Sequence, residues 1–412
     1  MSDRTIDYPL VIVGAGAAGL GASVQATKLG IPHLVLEASH RTGGRGLTEN
    51  LDNGVPVDLG CHWMHCARNN PFVAIADHLG YQYETSNPDY RVHLDGDWAR
   101  ESIAAARKDY LDLTYNAVMK AYAAESRDAI WDYMDQESAS CGWASYWLSL
   151  MHSNDPDQVS ISDIAEFDDT NEDWPLRQGY GALIVARGVG CPVRLNSPVT
   201  AVHWNDHHIK VVLAEGEITT KRVLLTVSTG VLGAGEIKFV PELPVWKRQA
   251  IHDLPLGNYN NLFFPINPGK LLDAPAAISY ERDESFASVR IRPFDDDYLF
   301  VTVAGRFAWW LEKQGEQVSS EWLTEILVDI FGAEVRKQIG RFRASAWGFD
   351  PWVKGAYSST TPGASEPRRR LAEPIDQKIY FAGEAASIDQ FNTAHGAWIS
   401  GQLMVLEMQK EK

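Results

Sequence analysis

Residues 14–19 read Gly-Ala-Gly-Ala-Ala-Gly, between an apolar run, Leu10–Val13, and a helical pattern that extends to about Leu29. Gly30 stops that pattern, and a second β-rich run, Leu34–Leu36, ends on Glu37. A strand, a glycine turn, a helix and a second strand closed by an acid predict a βαβ unit that binds a dinucleotide. Gly14 allows the tight turn, Gly16 lets the main chain approach a pyrophosphate, and Gly19 lets the helix lie close to the strand. Ala18 is grouped with them as a cofactor contact. The helix N-terminus offers unpaired N–H donors to the phosphates. Glu37 would accept hydrogen bonds from a ribose diol, and its charge argues against a 2′-phosphate.

A chain of 412 residues is long for one domain and natural for two. Its net charge of −17, from 54 acids against 37 lysines and arginines, argues against nucleic acid as a main ligand and is compatible with cationic substrates. Four cysteines make no disulfide framework, so a reduced, cytoplasmic protein is expected. No run approaches the roughly 18 apolar residues of a membrane span. Leu10–Val13 is too brief for a signal sequence.

Further along, Asn69-Asn70-Pro71 announces a helix to about Gly80, and residues 101–150 read as mostly helical. Residues 125–173 carry thirteen acids and one arginine, beside Trp131, Tyr133, Trp143, Tyr146 and Trp147. Two readings stand open: a solvated acidic face over an aromatic core, or an acidic entrance that draws cations to an aromatic-lined site. From about Val193 the period is two, predicting strands at Val199–Trp204, Ile209–Leu213 and Val223–Val227. Pro241, Pro244 and Pro255 mark a crossover into a mixed region that runs to about Arg343. A short strand, Ile379–Phe381, and a helix from about Gly396 follow.

The loop after Glu37 extends the nucleotide pattern, with Arg41, Gly43, Gly44 and Arg45 just beyond the ribose acid. Its glycines admit a ligand close to the main chain, and its arginines offset pyrophosphate charge. This longer pattern resembles the flavin-containing amine oxidases, the family of monoamine oxidases, polyamine oxidases and flavin-dependent histone demethylases. Further segments carry the likeness in family order. They are Asp58–His65 with Asn70-Pro71, Val223–Leu232, Pro241–Ile251 with Leu254–Gly257, Trp347–Ser358 and Ile379–Gly401.

The resemblance implies non-covalent FAD, because the cysteine through which monoamine oxidases attach their flavin is Ala356 here. It places Gly14, Gly16, Gly19, Glu37 and Arg45 at the ADP half, with Arg41 and Gly44 beside them and the backbone of Val199 at the adenine. Gly60, Cys61, His62 and Trp63 run beside the isoalloxazine, as does Trp347. Gly383 and Glu384 lie near the ribityl-pyrophosphate chain, and Thr393 and Ala394 near the pyrimidine end.

On the reacting face, the resemblance puts Tyr357 at the first position of an aromatic pair. The partner position is Thr393, so a full aromatic sandwich is absent. His65 falls where related enzymes place a His or Glu near the substrate amine. Asn261 stands where the family has a lysine that holds a water near the flavin. A neutral amide brings no positive charge there, so slow reaction with oxygen and transfer to another acceptor are expected.

Cys61, His62, His65 and Cys66 crowd four potential ligands into six residues, which leaves little freedom to wrap an ion, so no metal site is expected. The expected fold is α/β: a Rossmann-like FAD-binding domain, from residues 1–90, 180–250 and 345–412, with a discontinuous mixed-sheet plus helical substrate domain, from 91–179 and 251–344. The expected reaction oxidises the C–N bond of a small-molecule amine, a polyamine or secondary amine, to an imine that hydrolyses to aldehyde plus amine. Electrons pass to O2, giving H2O2, or to another acceptor, and the protein acts as a monomer or homodimer without nucleic acid or membrane. The rivals are desaturation of a non-amine substrate on the same scaffold and a non-catalytic flavoprotein.

Overall fold

The computed structural model describes residues 6–86, 90–205, 207–267 and 269–410. Two sheets organise the chain. The first has eight strands, in the order Lys238–Val240, Val199–His203, Ile209–Leu213, Gly216–Leu225, Tyr8–Val13, His33–Leu36 and Val193–Arg194, with Ile379–Phe381 also paired to Gly216–Leu225. Tyr8–Val13 runs parallel to both His33–Leu36 and Gly216–Leu225, and Ile379–Phe381 is parallel to Gly216–Leu225. The carboxyl ends Val13, Leu36, Leu225 and Phe381 therefore share one edge, where open α/β sheets bind ligands.

The helix Ala17–Lys28 covers this sheet and crosses the final helix, Ala394–Lys410, at close range. A Cβ built on Gly401 would lie 2.0 Å from Ala18 O, so only glycine permits the crossing. The third sequence-predicted strand begins at Gly216 rather than Val223, because residues 216–220 complete an antiparallel hairpin with Ile209–Leu213. The last helix begins at Ala394 rather than Gly396, because the Thr393 side chain caps it.

The second sheet has seven strands, in the order Arg343–Ala344, Tyr259–Pro265, Tyr298–Ala304, Ser285–Ile291, Ala276–Arg282, Tyr90–Leu94 and Asp97–Trp98. Alternation gives it two different faces. Leu262, Phe264, Val289, Val301 and Val303 pack against the helices Gly305–Gln314 and Glu316–Phe331. The opposite face presents Tyr259, Asn261, Phe263, Ser288, Arg290, Phe300 and Thr302, with Asn261 paired to Thr302 and Thr302 to Ser288. Phe263 and Phe300 fasten this face onto Val57, Leu59 and Trp63.

Among residues 125–173, most of the aromatics named above pack inward and several acids are paired. Trp131, Tyr133, Trp143 and Trp147 pack against a core that includes Leu148 and Ile161. Many of the acids are paired: Asp157 with Arg306, Glu172 with Arg68, Asp163 with Arg368 and Asp173 with His65.

Candidate active site

The glycine loop adopts the geometry its composition suggests. Gly14 has φ +104°, and a Cβ on Gly19 would sit 1.9 Å from Gly14 O. Gly16 precedes the helix without a side-chain cap, and there is no acid in the first turn, so the helix N-terminus is left for a ligand. The Glu37 carboxylate accepts from Ala15 N at 2.7 Å and from Ser39 N at 2.9 Å, which fixes it at the strand end. The amides of Asn196 and Ser197 donate to the carbonyls of Ser39 and Glu37, drawing Val199 toward that corner. Gly43 N donates to Ala15 O, and a Cβ on Gly44 would lie 3.1 Å from Gly16 Cα, so the two glycine loops run side by side. Arg41 lies 5.9 Å from the centre of the Trp347 ring.

A crevice lined by Arg45, Thr226, Thr229, Gly383 and Glu384 opens beyond these strand ends. Within it Thr229 Oγ1 is buried without a partner, and Gly383, at φ +144°, faces open space. Bare helix amides, an anchored acid, two arginines and an orphaned hydroxyl fit a dinucleotide. A buried polar chain braces it: Arg45 donates to Glu384 and to Ala356 O, Ser358 Oγ donates to Glu384, and Arg368 donates to Ser358 Oγ. Arg368 also pairs with Asp163, the two side chains being 4% and 2% exposed.

The reacting face forms where the second sheet meets residues 58–66. A Cβ on Gly60 would lie 1.7 Å from Arg45 O, so this segment lies directly on the arginine loop. Trp347 Nε1 donates to Leu59 O at 2.7 Å. Asn261 Nδ2 donates to Asp58 O at 2.9 Å and to Gly60 O at 3.1 Å, while its buried Oδ1 has no partner. The amide is thus held by two carbonyls and offers only an acceptor.

Tyr357 donates its hydroxyl to Leu150 O and sets its ring 5.8 Å from that of Tyr259, tilted by 46°. Burial raises both phenols, that of Tyr259 to about 12. The aromatic companion of Tyr357 is therefore Tyr259. The Thr393 hydroxyl donates to Gln390 O and accepts from Gly396 N, so it is committed to the helix cap. Ala394 follows as the first residue of that helix.

His65 Nδ1 donates to Asp173 at 2.7 Å. Burial alone would lower the imidazole, but the charge and hydrogen bond of Asp173 outweigh it and hold the pKa above the ordinary value. The neighbouring His395 is pushed down to about 3 by burial and by His65, and its Nδ1 is buried without a partner. His62 turns away to Asp58, and Cys66 Sγ meets Asp168 O. Burial raises the Cys61 thiol. The crowded Cys and His residues thus diverge, and among the described residues no group of three or more His, Cys, Asp or Glu converges as metal ligands.

The arrangement is a dinucleotide crevice, residues 58–60 laid on its arginine loop, and a histidine–carboxylate pair in the residues that follow. The profile of the family described as flavin containing amine oxidoreductase matches residues 129–405. The chain belongs to that family. It is therefore an FAD-dependent enzyme that oxidises amines.

An NAD(P)-binding Rossmann-like domain profile matches residues 12–79, the βαβ unit and the helix after it. Polyamine oxidase 4 of Oryza sativa subsp. japonica is 27% identical, the match spanning 95% of this chain and 86% of that protein. Lysine-specific histone demethylase 1 homolog 2 of the same plant is 27% identical, across 95% of this chain and 56% of that protein. A triple mutant of putrescine oxidase, redesigned in cofactor binding, shares the fold with a TM-score of 0.81 at 17% identity, covering 98% of this chain and 99% of that one. Among the described residues, no helix is long and apolar enough to cross a membrane.

Asp173, Tyr259 and Arg368 were not singled out from the sequence. Asp173 was hidden in an acidic run that suggested a solvated face. Tyr259 precedes Asn261 by two in a β-rich segment, and that spacing was its one available signal. Arg368 sits in a run of three arginines that looks like surface.

Proposed function

We propose that this enzyme oxidises the C–N bond of a polyamine or a secondary amine to an imine, which water then splits into an aldehyde and a smaller amine. What supports the reading is that Trp347 and Asn261 both hold the 58–60 backbone that lies on the arginine loop, with Tyr259 two residues before Asn261 and against Tyr357, and with His65–Asp173 in the residues that follow. When bound, FAD supplies the acceptor for the hydrogen and electron pair of the C–H bond beside nitrogen. Gly14, Gly16, Ala18, Gly19, Glu37, Arg41, Gly44 and Arg45 hold its ADP half, with Val199 at the adenine and Gly383–Glu384 at the pyrophosphate chain. Gly60, Cys61, His62, Trp63, Trp347, Thr393 and Ala394 border the ring system, non-covalently because Ala356 offers no thiol.

Tyr357 and Tyr259 exclude water and orient the amine. Asp173 fixes the His65 tautomer, so that the neutral ring can take a proton from the substrate ammonium at Nε2, leaving the unprotonated amine needed for oxidation and an imidazolium paired with Asp173. Asn261 keeps the 58–60 backbone in place without adding charge, which supports slow reaction with oxygen and transfer to another acceptor. The first sheet and its helices constitute the FAD domain (1–90, 180–250, 345–412), and the second sheet the substrate domain (91–179, 251–344). Free cysteines support a cytoplasmic site of action.

The test is anaerobic mixing of the FAD-loaded enzyme with spermine, spermidine, putrescine, N-alkyl amines and aromatic monoamines while the flavin absorbance is followed. Rapid bleaching by the first classes, with aldehyde and amine released, is expected. Bound FAD that no amine bleaches sinks the reading. Asn261→Lys is expected to speed reoxidation by air at least about tenfold; an unchanged rate removes the oxygen argument.

A further inference from the structure

The face of the second sheet that carries Asn261 also carries a cation that the reaction outlined above does not use. Arg290 lies in the strand Ser285–Ile291, opposite Phe300 in the next strand, which is in turn opposite Phe263. It is 6% exposed, yet no carboxylate pairs with it among the described residues. Its Nη1 donates to the Tyr90 hydroxyl at 3.2 Å, which itself accepts from Ser288 Oγ at 3.2 Å. Its guanidinium carbon stands 5.1 Å from the centre of the Trp63 ring and 5.8 Å from that of Tyr90. Among the described residues the remaining N–H donors have no acceptor, and they are not fully enclosed.

A buried guanidinium held by two aromatic faces and one phenol is poorly compensated. Other buried arginines of the chain have acids: Arg107 pairs with Glu281 and Arg368 with Asp163. Arg290 retains planar, directional donors that match a carboxylate in bidentate fashion. An ammonium group offers it no acceptor and repels it.

The opposite charge lies just beyond the short strand Trp63–Met64, which His65 follows directly. Arg290 rests on Trp63, and Asp173 holds His65. Residues 63–65 therefore carry a cation at one end, Arg290 beside Trp63, and an acid at the other, Asp173 beside His65. On the sheet, Arg290 stands two strands and two residues from Asn261, a backbone separation of roughly 12 Å from strand spacing and rise.

We infer that Arg290 is the carboxylate anchor of the substrate site, and that the enzyme takes an amine bearing a carboxylate a few methylenes from the oxidised C–N bond. This rests on the amine-oxidation reading and narrows it from bare polyamines to amino-carboxylic acids and their N-alkyl derivatives. The carboxylate takes no part in the bond changes; it fixes which C–H faces the acceptor.

The experiment uses the FAD-loaded enzyme with matched probes: 4-aminobutanoate, 6-aminohexanoate, their N-methyl forms, the corresponding primary amides, and putrescine. Equilibrium binding is read by calorimetry and by the flavin difference spectrum, and anaerobic bleaching is followed separately. At least one acid is expected to bind tenfold or more tighter than its amide. Arg290→Met should weaken that acid 30-fold or more while leaving the amide and putrescine within twofold, and Arg290→Lys should restore part of the loss. Equal binding of acids and amides by the unaltered enzyme overturns the proposal, as does an equal loss for every probe in Arg290→Met at unchanged melting temperature. If Arg290→Met does not fold, the acid–amide comparison in Arg290→Lys decides: retained discrimination supports the anchor and lost discrimination rejects it. Tight, Arg290-dependent binding of acids with no bleaching by any amine would reject amine oxidation but keep the anchor. Bleaching by putrescine without acid discrimination would do the reverse.

Discussion

The crevice beyond the first sheet and the face of the second sheet are built from different parts of the chain's chemistry. In the crevice, main-chain geometry does most of the work: Gly14 at φ +104°, Gly19 against Gly14 O, Gly44 against Gly16. On the second sheet, side chains do it, brought from strands and loops far apart in sequence: His65 with Asp173, Tyr259 with Tyr357, Arg290 with Trp63. A backbone site tolerates almost no added atom, whereas a side-chain site can exchange its groups and change substrate without refolding. The two regions should therefore fail differently when mutated.

The largest effect is expected at Gly19. An alanine Cβ would stand 1.9 Å from Gly14 O, and the glycine turn and the helix cannot both keep their places. Gly19→Ala should lose at least about 4 kcal/mol of stability and purify without FAD, measured as flavin absorbance per mole of protein and by thermal melting. Full FAD occupancy in that variant would show that the crevice is less rigid than its contacts imply.

The link between the two regions comes next. Asp163 receives Arg368 and the Thr360 amide, and Arg368 leads through Ser358 to Glu384 in the crevice. Asp163→Asn leaves a buried guanidinium uncompensated and should cost about 3–5 kcal/mol. FAD affinity should fall with it, because Glu384 loses its support. If stability falls but FAD titration is unchanged, the ion pair only holds the fold and does not couple to the crevice.

Asp173→Asn should act on the reacting face alone. His65 loses the partner that keeps its pKa above the ordinary value, so the lower limb of kcat/KM, which rises as His65 becomes neutral, should move toward acid. The rate above that limb should drop about 10- to 100-fold, because the tautomer is no longer fixed. FAD content and melting temperature should stay nearly constant. An unmoved pH profile would make the pair a surface contact, in keeping with the 39% exposure of the His65 side chain.

The same division explains what could be read from the sequence. The βαβ unit, the order of later motifs and most strands were legible because backbone demands leave local marks: glycine where no Cβ fits, alternation where one face is buried. The first residues of the strand from Gly216 are not legible, because Glu215-Gly216 looks like a turn alone until the partner strand is known. Asp173 and Tyr259 were illegible for a different reason. Their importance comes from which distant residue they meet, and an acid in an acidic run or a tyrosine in a strand has no local mark of that meeting. The place of Thr393 in the last motif is legible in the sequence, whereas the commitment of its hydroxyl to the helix cap is not.

The smallest expected effect concerns two histidines buried close to this divide. His395 is held down to about 3 and His152 to about 4, in both cases chiefly by burial, and each has a ring nitrogen with no acceptor. In the unfolded chain both titrate near the ordinary value of about 6.5. Their folded pKa values are depressed, so the stability they allow is present above pH 6.5 and is lost as pH falls toward the folded values. His65 runs the other way: its raised pKa favours the fold below about 6.5 and ceases to do so as pH rises through its folded value. Between pH 6.5 and 5, before most carboxylates protonate, the unfolding free energy read from urea titrations should therefore fall by on the order of 1–2 kcal/mol for each of the two rings. His395→Gln with His152→Gln should flatten that slope, while His65→Gln should steepen it. A slope unchanged by the double variant would mean that both rings find an acceptor as they charge, and that the acid loss of stability arises elsewhere in the chain.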